Sequence, residues 1–344
     1  MTRTRRHRTT ARIIAFIAAT ALAAACSGTG TTPGTDATTS TGDGYPDRTI
    51  TFVVPFSAGG PTDTVTRMIA DPMAAHLGGN IVVQNVEGAG GTVGAGEVAR
   101  AEPDGYTVLM HHIGMSTAPA LYNDLGYRPL DSFETIGLVT EVPMTIVARK
   151  DFGPATLQDL VSYVKANADK VTLANAGIGA ASHLCGLLFQ TATGVKLQEV
   201  PYEGTGPALT DLVGGQVDFM CDQTTNTSGQ IAAQEVKVYA VTTPERVQSL
   251  PDVPTTTEAG LPQLQVSVWH GLYVPQGTPP DVVTKLSQAL KTALADQKVI
   301  DQMAKLGTAP VPADQATPEA HKTKLQEQLD TWGKVIADAG VKAS

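Results

Sequence analysis

Residues 49–63 read TITFVVPFSAGGPTD, in the order of a strand, a glycine turn and a helix start. The first six are all β-branched or aromatic, which predicts a short buried strand. A proline ends that strand, Gly59-Gly60 allows a sharp turn, and Pro61 opens a helix. The backbone N–H groups at such a helix start are free and suit an anion. The same stretch is equally compatible with an ordinary turn between a strand and a helix.

The second half of the chain repeats this arrangement. Residues 171–174 are predicted to form a strand, residues 175–183 read NAGIGAASH, and a helix follows over residues 184–193. Strand-like and helix-like segments alternate throughout, including two separate short strands at 136–138 and 144–148, which predicts an α/β fold with a largely parallel sheet. Ligands of such sheets bind at the carboxyl ends of the strands, so two glycine-rich loops favour a ligand gripped between two lobes.

The composition restricts the classes of partner. The chain has 344 residues, enough for two domains, and a formal net charge of −9. The five arginines among the first 25 residues have no acidic residue near them, so the remainder is more acidic than the total suggests. An acidic body without a basic patch argues against nucleic-acid binding.

The N-terminus has the pattern of an export signal. A basic segment, an apolar run over residues 13–22 and three alanines predict a signal peptide over residues 1–25. Cys26 follows in a context that resembles a bacterial lipobox, although Leu22 stands four residues before it instead of three. We expect a lipidated Cys26, a flexible tether over residues 26–44 and an extracytoplasmic, membrane-anchored protein. The alternative is plain cleavage after Ala25, which leaves an unmodified thiol.

The loops predicted at the ends of the strands contain no lysine or arginine. They are rich in Gly, Ser, Thr and Asn, so they would recognise a ligand through backbone N–H groups, hydroxyls and helix dipoles. Such groups suit a small carboxylate better than a polyphosphate. Ser182 and His183 are adjacent and therefore a poor nucleophile–base pair, and His111-His112 lacks the spacing of a helical metal pair. We predict no enzyme activity, no cofactor and no metal.

Two cysteines, Cys185 and Cys221, follow the signal region. In an exported protein they favour a disulfide, and two buried free thiols are the alternative.

Several motifs together resemble the extracytoplasmic solute receptors of the tripartite tricarboxylate transporter group, also called the Bug family. The resemblance runs from about Tyr45 to the C-terminus. The motifs that carry it are Pro55-Phe56 with Gly59-Gly60, Asn85 with Gly88–Gly91, Pro103–Thr107, Ser182-His183-Leu184, Val200–Gly204, Asp211 with Gly214–Asp218, Leu250–Thr255 and Trp269 with Gly271.

This resemblance implies a two-lobed, type II periplasmic-binding-protein-like fold, often called a Venus flytrap. The first lobe would comprise residues 45–145 and 269–344, and the second lobe residues 146–268. The ligand-binding residues implied for the first lobe are Phe56, Ser57, Gly59, Gly60, Thr62, Asp63 and His112. Those implied for the second lobe are Gly177, Ala181, Ser182, His183, Tyr202 and Asp222.

The implied function is that of a monomeric binding protein. It would capture a small di-, tri- or aromatic carboxylate, close around it and deliver it to the permease subunits of a tripartite tricarboxylate transporter. A sensor that docks on a membrane signalling partner is the main alternative, and a secreted enzyme is a weaker one. Glu203 stands where many family members have lysine, and its charge near the expected anion site puts citrate in doubt.

Overall fold

Nine strands and ten α-helices alternate along residues 44–342, the part of the chain that the computed structural model describes. The strands are Ile50–Val54 (β1), Ile81–Asn85 (β2), Thr107–His112 (β3), Phe133–Arg149 (β4), Thr172–Asn175 (β5), Gln198–Pro201 (β6), Phe219–Gln223 (β7), Val236–Val241 (β8) and Ser267–Pro275 (β9). The predicted signal peptide, Cys26 and nearly all of the predicted tether fall outside this range.

The helices flank the strands on both sides. They are Pro61–Leu77 (α1), Thr92–Ala99 (α2), Gly114–Leu121 (α3), Leu157–Ala166 (α4), Ala181–Thr193 (α5), Thr205–Val213 (α6), Thr224–Ala232 (α7), Pro280–Leu294 (α8), Gln297–Lys305 (α9) and Pro318–Ala339 (α10). Within residues 44–342, none of them is both long enough and apolar enough to span a membrane.

The strands form two groups with the same topology. The order is β2-β1-β3-β9-β4 in the first group and β6-β5-β7-β4-β8 in the second. In each group the first strand along the chain, β1 or β5, lies between two parallel neighbours. We call these groups, with their helices, the first and second lobes. The two-lobed α/β fold class is therefore confirmed.

The long strand β4 connects the lobes. Residues 133–143 pair with β9, and residues 144–149 pair with β7 and β8. The prediction of two separate strands here was wrong, because Pro143 stands where β4 changes partners and its missing N–H does not interrupt the strand. The predicted lobe boundaries at residues 145 and 268 stay predictions.

The prediction of a largely parallel sheet was only half right. Among the strand pairs of residues 44–342, four are parallel and four are antiparallel. The antiparallel pairs all involve β4, the strand that connects the lobes, or β9, its neighbour in the first lobe.

Strand β1 is buried on both faces, as its sequence predicts. Ile50, Phe52 and Val54 pack into the core on one side, and Val53 packs into the core on the other. Helices α1 and α8 cover the first of these faces. The rigid strand fixes the position of the glycine turn that follows it.

Helix α7 was not predicted, because its sequence TTNTSGQIA consists mainly of poor helix formers. In the structure its hydroxyl groups bond to the preceding turn of the helix. Thr227 Oγ1 donates to the carbonyl of Gln223 at 3.2 Å, and Ser228 Oγ donates to that of Thr224 at 2.7 Å. Packing against β4, β7 and β8 therefore overrides the weak local preference.

Cys185 in α5 and Cys221 in β7 are joined by a disulfide, with Cα atoms 5.9 Å apart. Both residues are buried. The bond ties the helix that follows the second glycine-rich loop to the strand that ends beside it.

We expect the Cys185→Ser/Cys221→Ser double variant to lose about 3–4 kcal/mol of unfolding free energy, because the disulfide restricts a long loop in the unfolded chain. Urea denaturation of both proteins measures the difference. Reductant should lower the midpoint of the wild type and leave that of the double variant unchanged. Equal midpoints for the two proteins without reductant would contradict this expectation.

Candidate functional site

Four helices begin at one small cavity between the lobes. Helix α1 comes from the first lobe, and α5, α6 and α7 come from the second. The cavity measures about 20 Å³, comparable with the space of one or two water molecules. Its lining residues are Phe56, Gly60, Pro61, Thr62, His112, Ala176, Ala180, Ala181, Ser182, Thr205, Asp222 and Gln223. In this arrangement of the lobes the cavity is too small for an organic ligand.

The four helices have no side-chain cap at their N-termini. Their N-cap residues make no capping hydrogen bond; these residues are Gly60, Ala180, Gly204 and Gln223. Of the other helices, α4, α9 and α10 are capped by side chains, at Thr156, Asp296 and Thr317, whereas α2, α3 and α8 are not. The free N–H groups and the helix dipoles make the cavity favourable for a negative charge.

The cavity contains about half of the residues predicted for the site. Seven line it: Phe56, Gly60, Thr62, His112, Ala181, Ser182 and Asp222. Six lie outside its lining: Ser57, Gly59, Asp63, Gly177, His183 and Tyr202. Five lining residues were not predicted, namely Pro61, Ala176, Ala180, Thr205 and Gln223. All five belong to loops whose composition had indicated a site, but composition does not identify which residues in a loop face the cavity.

Asp63 holds the first glycine-rich loop in place. Its carboxylate accepts hydrogen bonds from the backbone N–H of Gly59 at 2.9 Å, from Nε and Nη2 of Arg67, each at 2.9 Å, and from Asn85 Nδ2 at 3.0 Å. Burial acts to raise the pKa of Asp63, but the bonds from Arg67, Gly59 and Asn85 outweigh it and lower that pKa. All of these partners belong to the first lobe, and none of them lines the cavity.

Ser182 and His183 hold the second loop in a similar way. Ser182 Oγ accepts the N–H of Ala176 at 2.8 Å, and His183 Nδ1 accepts that of Gly179 at 3.2 Å. In each lobe, side chains from the first turn of the helix thus accept N–H groups of the loop before it. Because Ser182 accepts from Ala176, its own hydroxyl proton remains available to the cavity.

Three neutral histidines lie at the first-lobe side of the cavity. His112 stacks on Phe56 with ring centroids 4.5 Å apart, and its ring lies 5.8 Å from that of His270. Burial lowers the pKa of His111 to about 4 and that of His270 to about 3, and it lowers the pKa of His112 as well. The N–H of Gly114 donates to His112 Nδ1, so the neutral ring carries its proton on Nε2 and is a donor.

Asp222 is the one carboxylate in the cavity lining. It is fully buried, and burial raises its pKa to about 6 although hydrogen bonds from Asn226, Thr205 and Gln223 oppose the shift. It occupies the end of β7, next to the start of α7.

Neither Tyr202 nor Glu203 lines the cavity. The Tyr202 hydroxyl donates to Asp211 at 2.8 Å. The side chain of Glu203 is exposed, and its backbone carbonyl accepts the N–H of Ser57 at 3.2 Å. The doubt that Glu203 raises about citrate stays a prediction. Within residues 44–342 there is no cluster of three or more histidine, cysteine or acidic side chains that could hold a metal ion.

The family of the chain follows from comparison with known proteins. The model of the tripartite tricarboxylate transporter family receptor matches residues 65–341. The chain belongs to this family. It is 53% identical over 298 residues to a protein encoded in the ttuE-ttuC' intergenic region of Agrobacterium vitis. The matched region covers 87% of this chain and 86% of the relative. The predicted resemblance is confirmed.

Two solved structures of this family resemble the chain over most of its length. The periplasmic binding protein BugD has a TM-score of 0.85 and 53% identity, covering 87% of this chain and 100% of BugD. MatC from Rhodopseudomonas palustris, solved with bound malate, has a TM-score of 0.83 and 43% identity, covering 85% and 100% of the two chains. The chain is a solute-binding protein of this family and not an enzyme, as predicted.

We expect the stability of the protein to fall between pH 7 and pH 5. Histidines whose pKa is lowered on folding stabilise the folded state above pH 6.5, and this stability is lost as the unfolded chain takes up protons. At pH 5 His111 and His270, which stay unprotonated in the folded state, would each lower the free energy of unfolding by up to about 2 kcal/mol. Asp222 has the opposite effect below pH 6. Because its pKa is raised on folding, the folded state binds a proton at a higher pH than the unfolded chain and gains stability.

Urea unfolding at pH 7 and pH 5 measures this change. We expect the His270→Gln variant to lose less stability on acidification than the wild type. The matched control is His76→Gln, at an exposed histidine. The same loss in all three proteins would contradict the assignment to the buried ring.

Proposed function

We propose that this protein captures a small carboxylate between its lobes and delivers it, in the closed form, to the membrane permease of a tripartite tricarboxylate transporter. The observation that carries this proposal is the meeting of four uncapped helix N-termini from both lobes at one cavity. An anion at this point is stabilised by both lobes at once, so its binding favours closure.

The chemistry of the lining favours a carboxylate over a phosphate. No lysine or arginine lines the cavity, and phosphates usually recruit such side chains. Arg67, near the first loop, already forms two hydrogen bonds with Asp63. The malate bound to the related MatC supports a ligand of this class.

Closure is supported by direct bonds between the lobes. The Tyr122 hydroxyl of the first lobe donates to the carbonyl of Ile178 in the second at 2.8 Å, and Thr117 Oγ1 donates to that of Gly179 at 2.9 Å. These bonds support a closed arrangement of the lobes. A hinge motion through β4 and the segment before β9 would open the cleft to the ligand.

We expect one class among a set of mono-, di- and tricarboxylates to raise the melting temperature selectively, because a ligand that binds only the folded state stabilises it. The Ser182→Ala variant should lose about 1–2 kcal/mol of that stabilisation, since it removes the acceptor that shapes the second loop. The matched control is Ser162→Ala on the exposed face of α4. Thermal shift at fixed ligand concentrations measures both effects, and no shift with any carboxylate would refute the proposed function.

We also propose that the mature chain is monomeric, begins at a lipidated Cys26 and is held to the outer face of the cytoplasmic membrane by its tether. Intact-mass analysis of the protein purified from membranes should show the acyl chains on Cys26. An unmodified N-terminus would remove the anchor without affecting ligand binding.

A further inference from the structure

One side of the cavity presents hydrogen-bond acceptors. Asp222 and Gln223 both line it, with exposed fractions of 0% and 3%. Gln223 Oε1 is buried and has no hydrogen-bond partner. An unpaired acceptor of this kind costs free energy unless a donor satisfies it when the site is occupied.

Asp222 can also accept more bonds than it receives. Its Oδ1 accepts the N–H of Gln223 at 2.8 Å, and its Oδ2 accepts the side-chain amide of Asn226. Thr205 donates a third bond to this carboxylate. Each carboxylate oxygen can accept two bonds, so the group retains capacity for one more.

No cation in the cavity lining balances Asp222. The other titratable side chain in the lining is His112, which burial keeps neutral. A ligand carboxylate placed against Asp222 would therefore meet a second negative group in a desolvated site, which is unfavourable. The carboxylate instead fits the N-termini of α1 and α5, where Ser182 and the Nε2–H of His112 are further donors.

We propose that the ligand carries a hydroxyl or ammonium group on the carbon next to a carboxylate, and that this group donates to Asp222 and Gln223 Oε1. This inference rests on the proposed carboxylate binding and narrows it to 2-hydroxy or 2-amino acids. Asp222 and Gln223 then discriminate such acids from their unsubstituted parents. The pairing satisfies the unpaired amide oxygen and places a donor, instead of a second acceptor, against the buried acid.

A purely structural role of Asp222 makes a different prediction. Asp222, just before α7, accepts the side-chain amide of Asn226 within that helix. Asn226 in turn donates to the carbonyl of Thr205 at the start of α6. If Asp222 only held these helices, its replacement would weaken binding of every acid by the same factor. A discriminating role weakens binding of the substituted acids alone.

Isothermal titration calorimetry on matched acids separates these roles. The probes are succinate with malate and aspartate, glutarate with 2-hydroxyglutarate and glutamate, propionate with lactate and alanine, and tricarballylate with citrate. We expect a substituted acid to bind the wild type about 10- to 100-fold more tightly than its parent, as for a hydrogen bond to a charged or buried group. The hydroxyl and amino members of each set show which donor is used.

We expect Asp222→Asn to reduce this preference, the ratio of the affinities for the substituted and the parent acid, at least about tenfold. Gln223→Met, which keeps the side-chain length and the backbone bonds, should reduce the preference in the same direction and is the deciding variant if Asp222→Asn does not fold. The exposed Asp252→Asn is the matched control.

Equal affinities for parent and substituted acids in the wild type would overturn this inference while leaving carboxylate binding intact. An equal loss for all acids in both variants would also overturn it. If no acid of any set binds the wild type, the proposed function itself fails, and the inference fails with it.

Discussion

The candidate site depends on one electrostatic arrangement, the meeting of unsatisfied helix N-termini at a cavity whose lining contains no lysine or arginine. The N–H groups at the start of α1 and α5 lack the side-chain acceptors that cap α4, α9 and α10. Such groups are costly when buried and are satisfied by an anion. The fold places them accurately, because the carboxyl ends of the buried strands β1 and β5 fix the loops from which the helices begin.

The side chains around the cleft mostly shape the loops that present these N–H groups. Asp63 in the first lobe and Ser182 and His183 in the second bond to loop amides, while burial keeps His111, His112 and His270 neutral. Recognition by backbone dipoles gains most when water is excluded, because electrostatic interactions are stronger at low dielectric constant. The proposed capture mechanism therefore couples ligand binding to lobe closure.

Local sequence patterns were sufficient to predict the repeated units of strand, glycine loop and helix, because each is encoded within about 25 residues. The features that were missed depend on distant contacts. The pairing of β9 with β3 brings His270 to the cleft. Its Nε2 lies 3.3 Å from Oγ1 of Thr62, a residue 208 positions away in the sequence. Helix α7 forms against its own propensity. The bond of Asp63 to Asn85, 22 positions away in the sequence, likewise depends on the pairing of β1 with β2.

Small-angle X-ray scattering with and without a bound carboxylate is the most direct test of capture by closure. A Cβ atom on Gly90 of the first lobe would lie 2.0 Å from the carbonyl oxygen of Ile178 in the second, whereas one on Gly153 would meet nothing within 4 Å. We expect the ligand to reduce the radius of gyration of the wild type and of Gly153→Ala, and to leave that of Gly90→Ala unchanged. A ligand that binds the wild type without any compaction, or that compacts Gly90→Ala equally, would contradict closure of the lobes on the ligand.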